Sequence, residues 1–269
     1  MVRIAVAGAA GRMGRRILAL AAADPELEVT GAFEAPDHPA VGKSLKELTG
    51  TQLEGLVLSD PARAMEGAEV LVDFTAPKAT AAHVALAARM GLSAVVGTTG
   101  LGEEERKAVA EAARQVGVVI APNMSVGMNL MFKLAGLVAK ILGEDYAVEL
   151  VEAHHDQKKD APSGSAIRLL EAVAEARGWE LDKVARYGRV GMVGPRPAKE
   201  IGVSVIRGGD IVGEHTLMFI TGGERIELTH RAHSRDTFAR GALRAAIWVA
   251  KQKPGLYDMA DVLGLGELG

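Results

Sequence analysis

The chain opens on Arg3-Ile-Ala-Val-Ala-Gly-Ala-Ala-Gly-Arg-Met-Gly14, an apolar run that turns through glycines directly into a segment rich in Ala and Leu. Residues 3–7 read as a buried strand and residues 12–23 as the helix that follows it. A strand apolar on both faces, followed at once by a helix, belongs in a parallel sheet covered by helices on each side. The unit repeats, with strands expected at 29–33, 68–74, 93–96 and 117–121 and helices at 78–89 and 103–115. Residues 35–60 show no clear period.

A different pattern begins after Asn123. A long helix is expected over 126–141, a strand over 147–153 and a helix over 166–177. Three strands follow at 201–207, 214–221 and 225–230, then a closing helix at 238–251. Gly208-Gly209 and Gly222-Gly223 suit tight turns between antiparallel strands. The fold class is therefore α/β: an N-terminal Rossmann-like nucleotide-binding domain with a mixed-sheet α+β second domain.

Gly8 permits a tight bend, and Gly11 or a small residue such as Ala10 lets a diphosphate approach the backbone. The strict dinucleotide spacing would place glycine at Ala10 and Met13, so the signal rests on its strand–turn–helix context. A purely structural turn is the competing reading. Residues Gly8, Ala9, Ala10, Gly11, Arg12 and Met13 would form the cradle, aided by the positive end of the helix dipole. Glu34 ends the second strand, where a carboxylate can accept both adenosine-ribose hydroxyls. A phosphorylated ribose would bring added negative charge, so Glu34 favours NADH over NADPH, while Arg12 softens the preference. Ligands collect at the carboxyl ends of parallel strands. There, Gly97, Thr98 and Thr99, and Ala121, Pro122, Asn123 and Met124, would line the nicotinamide side, or form ordinary turns.

The richest chemistry lies in Glu152-Ala-His-His-Asp-Gln-Lys-Lys-Asp-Ala-Pro-Ser-Gly-Ser165. His154 and His155 end an apolar strand and should point to opposite faces. Lys158 is near enough to join one of them, with Lys159 and Asp160 as an outer charged pair. Ser163 or Ser165 would cap the next helix, whose first amides could hold a carboxylate. Proton donors beside an anion-binding helix start suit acid–base chemistry on a small anion. A metal site or a structural loop remains open, though the helical His-x-x-x-His zinc pattern is absent. His215, His230 and His233 have weaker cases.

Composition excludes several alternatives. The 269 residues contain no cysteine, which removes disulfides, thiolate catalysis and cysteine-bound metal. A net charge of -3 with scattered basic residues gives no nucleic-acid stripe. Apolar runs such as residues 116–121 are too short to span a membrane, and no signal segment is expected before the first strand. A cytoplasmic protein is expected.

Together these segments resemble the 4-hydroxy-tetrahydrodipicolinate reductase (dihydrodipicolinate reductase) family. The resemblance lies in Gly8–Gly14, Val72-Asp-Phe-Thr75, Gly97-Thr-Thr-Gly100 and Asn123-Met-Ser-Val-Gly127. It extends through the histidine–lysine segment and Gly209-Asp-Ile-Val-Gly-Glu-His215. It implies residues 1–125 plus 236–269 as the nucleotide domain, and residues 126–235 as a substrate domain that assembles a homotetramer. It further implies reduction of the product of dihydrodipicolinate synthase, a small dicarboxylate, with NADH or NADPH and no metal. His154 and Lys158 would be the catalytic pair, and His155, Gly164 and Ser165 would hold substrate. Ala35 stands where some members carry an arginine for the ribose phosphate, which again favours NADH. Another nicotinamide oxidoreductase acting on a related imino acid, or a nucleotide-sensing regulator without turnover, are the competing functions.

Overall fold

The computed structural model describes residues 1–267. The chain divides into two compact units, Met1–Val126 with Arg235–Gly264, and Gly127–Ser234 with the segment from Leu265. The expected first domain ran on through 265–269, and residues 268 and 269 lie outside the described range.

The first unit holds six parallel strands: β1 (Val2–Ala7), β2 (Leu27–Phe33), β3 (Val70–Asp73), β4 (Ser93–Val96), β5 (Gly117–Ile120) and, far along the chain, β11 (Gly255–Tyr257). Their order is β11-β5-β4-β3-β1-β2, with all neighbours parallel. Its helices are α1 (Arg12–Ala21), α2 (Leu45–Thr49), α3 (Pro61–Met65), α4 (Pro77–Arg89), α5 (Glu103–Ala112), α9 (Asp236–Val249) and α10 (Met259–Leu263). Alternation along β1 explains the two covered faces. Ile4 and Val6 join a core with α1, α9 and α10, whereas Ala5 and Ala7 join one with α3, α4 and α5. Residues 35–60 gain α2, capped by Ser44, which accepts the Glu47 amide at 3.1 Å. A five-residue helix is too short to leave a clear period in sequence, and β11 too brief to register as a strand.

The second unit is a five-stranded mixed sheet built from β6 (Ala147–His154), β7 (Ala185–Tyr187), β8 (Ile201–Arg207), β9 (Gly213–Thr221) and β10 (Glu224–Ala232). Its order is β10-β9-β6-β8-β7. Among the described residues its α-helices are α6 (Val126–Leu142), α7 (Gly164–Arg177) and α8 (Leu181–Val184). Val148, Ile201 and Phe219 make one apolar row across the sheet, and Leu150, Val203 and Leu217 the next; both pack with Met128, Met131, Leu169 and Val173.

Two sequence expectations change here. The Gly222-Gly223 turn does join an antiparallel pair, with Thr221 opposite Glu224. Gly208-Gly209 does not: β6 lies between β8 and β9, parallel to one and antiparallel to the other. The connection instead wraps the end of β6, where Gly208 donates to the His154 carbonyl and His155 to that of Ile211. A turn can be read from glycines, but a strand inserted from elsewhere in the chain cannot. The segment from α6 to Asp145 is also long and apolar enough, by length and composition, to cross a membrane, a candidate the run-length reading missed. Its Met128, Met131, Ala135 and Ala139 are buried in the core of the second unit.

Candidate active site

In the first unit, the glycine turn is built from backbone. Gly8 sits at φ +66°, a left-handed conformation that favours glycine, and Gly11 caps α1 without any side-chain acceptor. The first-turn amides of α1 are thus uncapped by side chain, the arrangement that binds a diphosphate. A Cβ on Gly14 would lie 2.1 Å from the Gly8 oxygen and 2.6 Å from the Ala9 Cα. Gly14, not Met13, therefore gives α1 its close seat against the turn. The working spacing is three and three. Ala10 donates its amide to Glu34 Oε1 at 2.7 Å, and Arg15 Nε donates to the Ala10 carbonyl at 2.8 Å. Glu34 follows β2 directly and is half-buried, while Arg12 is exposed. The open turn, the uncapped amides and the carboxylate at the end of β2 fit a dinucleotide.

The other strand ends behave less uniformly. Thr98 is buried, its hydroxyl 2.7 Å from Thr80 Oγ1 and 3.2 Å from Asp73, and it accepts the Thr75 amide at 3.0 Å. It braces the strand ends instead of offering a free hydroxyl, while Thr99 is exposed. Asp73 also holds His83 Nδ1 at 2.7 Å. Burial alone would raise the Asp73 pKa, but hydrogen bonds from His83 and Thr75 hold it below the ordinary value. Gly97 lies against the Phe74 ring, which a Cβ would overlap at 2.1 Å. Ala121 and Met124 are in the core, so contact there runs through backbone; Pro122 is exposed and Asn123 half-buried. Gly241 of α9 lets that segment approach, since a Cβ would meet the Met124 oxygen at 1.7 Å.

In the second unit, the apolar rows of the sheet give way to charge. Glu152 pairs in register with His215 and Val205, and His154 with Arg207, all on the side facing the core. Glu152 is 0% exposed, His215 3% and His154 8%. Its carboxylate accepts the Ser163 amide at 3.0 and 3.2 Å and the Ser163 hydroxyl at short range. Three basic groups surround it: His154 Nδ1 at 3.7 Å, His215 Nε2 at 3.5 Å and Arg207 Nη2 at 3.6 Å. Burial would raise the Glu152 pKa, but hydrogen bonds from His215 and Ser163 hold it down at about 2. Burial pushes His154 down to about 4 against the pull of Glu152, and the positive charges of His215, Lys158 and Arg207 act in the same direction as burial.

Ser163 also caps α7, accepting the Ala166 amide at 3.1 Å, so the choice between Ser163 and Ser165 falls to Ser163. Gly164 and Ser165 become the first two helical residues, and a Cβ on Gly164 would meet open space. Lys158 Nζ contacts both Asp160 oxygens, at 2.8 and 2.9 Å; the partner of Asp160 is Lys158, not Lys159. His155 is half-buried and lies just past the end of β6. Glu152, His154 and His215 place ligand-type atoms within 4.8 Å of one another. Ser163 and Arg207 already engage the carboxylate, and a divalent ion there would meet the Arg207 charge. The cluster is an ion-pair network with acid–base capacity.

Sequence reasoning brought His154, Lys158, Gly164 and Ser165 to one loop and helix start, but paired Asp160 with Lys159 and assigned no role to Glu152 or Arg207. Glu152 was accessible, because it alternates with Leu150 and His154 on one strand face. His215 and Arg207 arrive through strand register, which leaves no local signal.

Family models for the dihydrodipicolinate reductase N-terminus and C-terminus match residues 2–124 and 127–263. A 4-hydroxy-tetrahydrodipicolinate reductase from Citrifermentans bemidjiense is 54% identical over 266 residues, covering 98% of this chain and 100% of the relative. One from Syntrophus aciditrophicus is 50% identical over 265 residues, covering 98% and 99%. Among solved structures, dipicolinate-bound dihydrodipicolinate reductase from Paenisporosarcina sp. TG-14 shares the fold at a TM-score of 0.75. It is 24% identical, with 97% of this chain and 98% of that chain covered.

Proposed function

This chain belongs to the dihydrodipicolinate reductase family, and from that premise we propose how its residues divide the work of the reaction. It is an NAD(P)H-dependent 4-hydroxy-tetrahydrodipicolinate reductase of the diaminopimelate route to lysine. The substrate loses its 4-hydroxyl as water and is reduced to tetrahydrodipicolinate. The residue assignment is carried by one observation: the His154 cluster and the cap of α7 share the Glu152 carboxylate.

Gly8–Met13, Glu34, Gly97–Thr99 and Ala121–Met124 would hold the dinucleotide. Bound reduced nicotinamide supplies the hydride. The conjugated cyclic imine gains electron density toward its ring nitrogen as C4 is reduced, and that density needs a proton. His154 and Lys158 form the donor pair. Burial leaves the His154 imidazole uncharged at neutral pH, and a dianionic substrate nearby raises its affinity for a proton. Lys158 is the neighbouring cation, held by Asp160. The Gly164 and Ser165 amides, with His155, bind substrate carboxylate at the positive end of α7.

We infer a preference for NADH. Glu34 is fixed by the Ala10 amide at the end of β2, where a ribose phosphate would face its charge, and Ala35 adds no compensating cation. Arg12 keeps NADPH usable. A cytoplasmic homotetramer completes the reading. The sheet face opposite α6 and α7 presents Val151, Ile206, Met218 and Ile220. In addition, the loop after β7 exposes Val190 at 91% and Met192 at 106% while Arg189 and Arg196 pin its base to Glu149. Apolar tips on an anchored loop suit contact with further copies of the chain, and sedimentation as a monomer would count against this.

The deciding assay couples dihydrodipicolinate synthase to this protein and follows the loss of reduced-nicotinamide absorbance. Oxidation on the synthase product, and none on simple keto acids with ammonia, is expected. The reverse pattern would make the protein an amino-acid dehydrogenase, and tight binding without turnover a nucleotide sensor.

A further inference from the structure

We infer that Glu152 is the positioning residue of the proton-donor cluster, holding the His154 imidazole and the first turn of α7 in one arrangement. The inference rests on the proposed roles of His154 and of the α7 amides. Glu152 touches neither reacting atom nor cofactor in that scheme; it acts through its neighbours.

A carboxylate removed from water is costly unless its lone pairs and charge are met. Here each oxygen accepts the Ser163 amide, Oε2 also takes the Ser163 hydroxyl, and His154, His215 and Arg207 supply the surrounding basic groups. Those groups come from four elements: His154 from β6 itself, Arg207 from β8, His215 from β9 and Ser163 from the start of α7. Lys158 adds positive charge toward His154 from the loop between β6 and α7. A carboxylate that served only to fasten Ser163 would need none of the histidines.

The geometry gives Glu152 two tasks. His154 Nδ1 is buried without a hydrogen-bond partner, and the nearest opposite charge is Glu152 Oε2. Negative charge on that side favours a proton on Nδ1 and directs Nε2 toward Gly213, where a Cβ would lie 3.1 Å from it. The same carboxylate fixes the residue whose hydroxyl caps α7, and so sets where the Gly164 and Ser165 amides lie. Donor orientation and carboxylate anchoring are thereby linked through one side chain.

The test is Glu152→Gln, which keeps the shape and an acceptor for Ser163 but removes the charge. Expected are a kcat lower by about 10–100-fold, a severalfold higher KM for the dicarboxylate, and unchanged cofactor affinity. The fall of kcat on the alkaline side should move to lower pH, since His154 loses the charge that favours its protonated form, and Glu152→Asp should recover part of this profile. In a His154→Ala background, Glu152→Gln should cost little further kcat. A wild-type pH profile in Glu152→Gln, or fully additive losses with His154→Ala, overturns the inference. If Glu152→Gln does not fold, nitrogen-15 imidazole spectra of the unaltered protein decide. A neutral His154 protonated on Nδ1 supports the assignment, and one protonated on Nε2 overturns it. Absence of turnover by the unaltered protein on the synthase product would defeat the proposed function instead.

Discussion

The Ala10 amide donates to Glu34 at 2.7 Å, so the acidic residue expected to face the ribose also fastens the turn expected to hold the diphosphate. One side chain thus joins the end of β2 to the start of α1, and substitutions there separate its two roles.

Glu34→Gln keeps an acceptor for Ala10 but removes the charge, whereas Glu34→Ala removes both. We expect Glu34→Ala to weaken NADH by roughly tenfold and NADPH less, the value of one or two good hydrogen bonds. Glu34→Gln should narrow the gap by improving NADPH. Dissociation constants from quenching of nucleotide fluorescence report both, and equal losses for the two nucleotides would reject the ribose contact.

Gly14→Ala should damage the first unit through packing, because the residue is buried in α1. Its Cβ would fall 2.1 Å from the Gly8 oxygen, so α1 must shift, at a cost of about 1–3 kcal/mol or more. Gly11→Ala is the milder comparison, with the Gly8 oxygen at 3.1 Å as its one close contact. Melting temperature and nucleotide affinity should both fall more for Gly14→Ala. The same values in both variants would show that the helix seat is not tight.

His154→Ala and Lys158→Ala should each lower kcat by about 10²–10⁴-fold while leaving nucleotide affinity near its starting value. Steady-state rates with the synthase-coupled substrate, set beside nucleotide titrations, separate the two effects. Ordinary turnover in either variant removes that residue from the donor pair.

Acid should weaken the second unit in two stages. His154 has a pKa of about 4 when folded against 6.5 for the free group, so between those values the unfolded chain binds a proton the folded chain refuses. Stability therefore falls as pH drops across that window. Glu152, held at about 2 against 4.5, contributes stability above 4.5 that is lost as pH falls toward 2. Urea midpoints at pH 7 and 4.5 should differ less in His154→Gln than in the unaltered protein; identical slopes would dismiss the buried imidazole as a cause.

Local chemistry made much of this protein legible. Apolar β1, the Gly8 bend and α1 announce a βα unit because strand burial and turn geometry are decided within a dozen residues. The loop from His154 to Ser165 likewise advertised proton donors beside a helix start. Thr98 shows where such reading stops: its hydroxyl suited a ligand until folding brought Asp73, Thr75 and Thr80 around it. Gly14 was equally hidden, because its need is a distance to Gly8 across a turn and not a property of its own segment.

The order of residues settled the α/β class, the glycine turn and the types of group available for catalysis. Tertiary structure alone settled that β6 inserts between β8 and β9, carrying Glu152 opposite His215 and His154 opposite Arg207. Strand pairing joins residues more than fifty positions apart through backbone hydrogen bonds that any side chain can accompany, so no local pattern records the partner. Folding then changed what the same groups can do: burial lowers the proton affinity of the His154 imidazole, while hydrogen bonds from His215 and Ser163 lower that of the Glu152 carboxylate against burial.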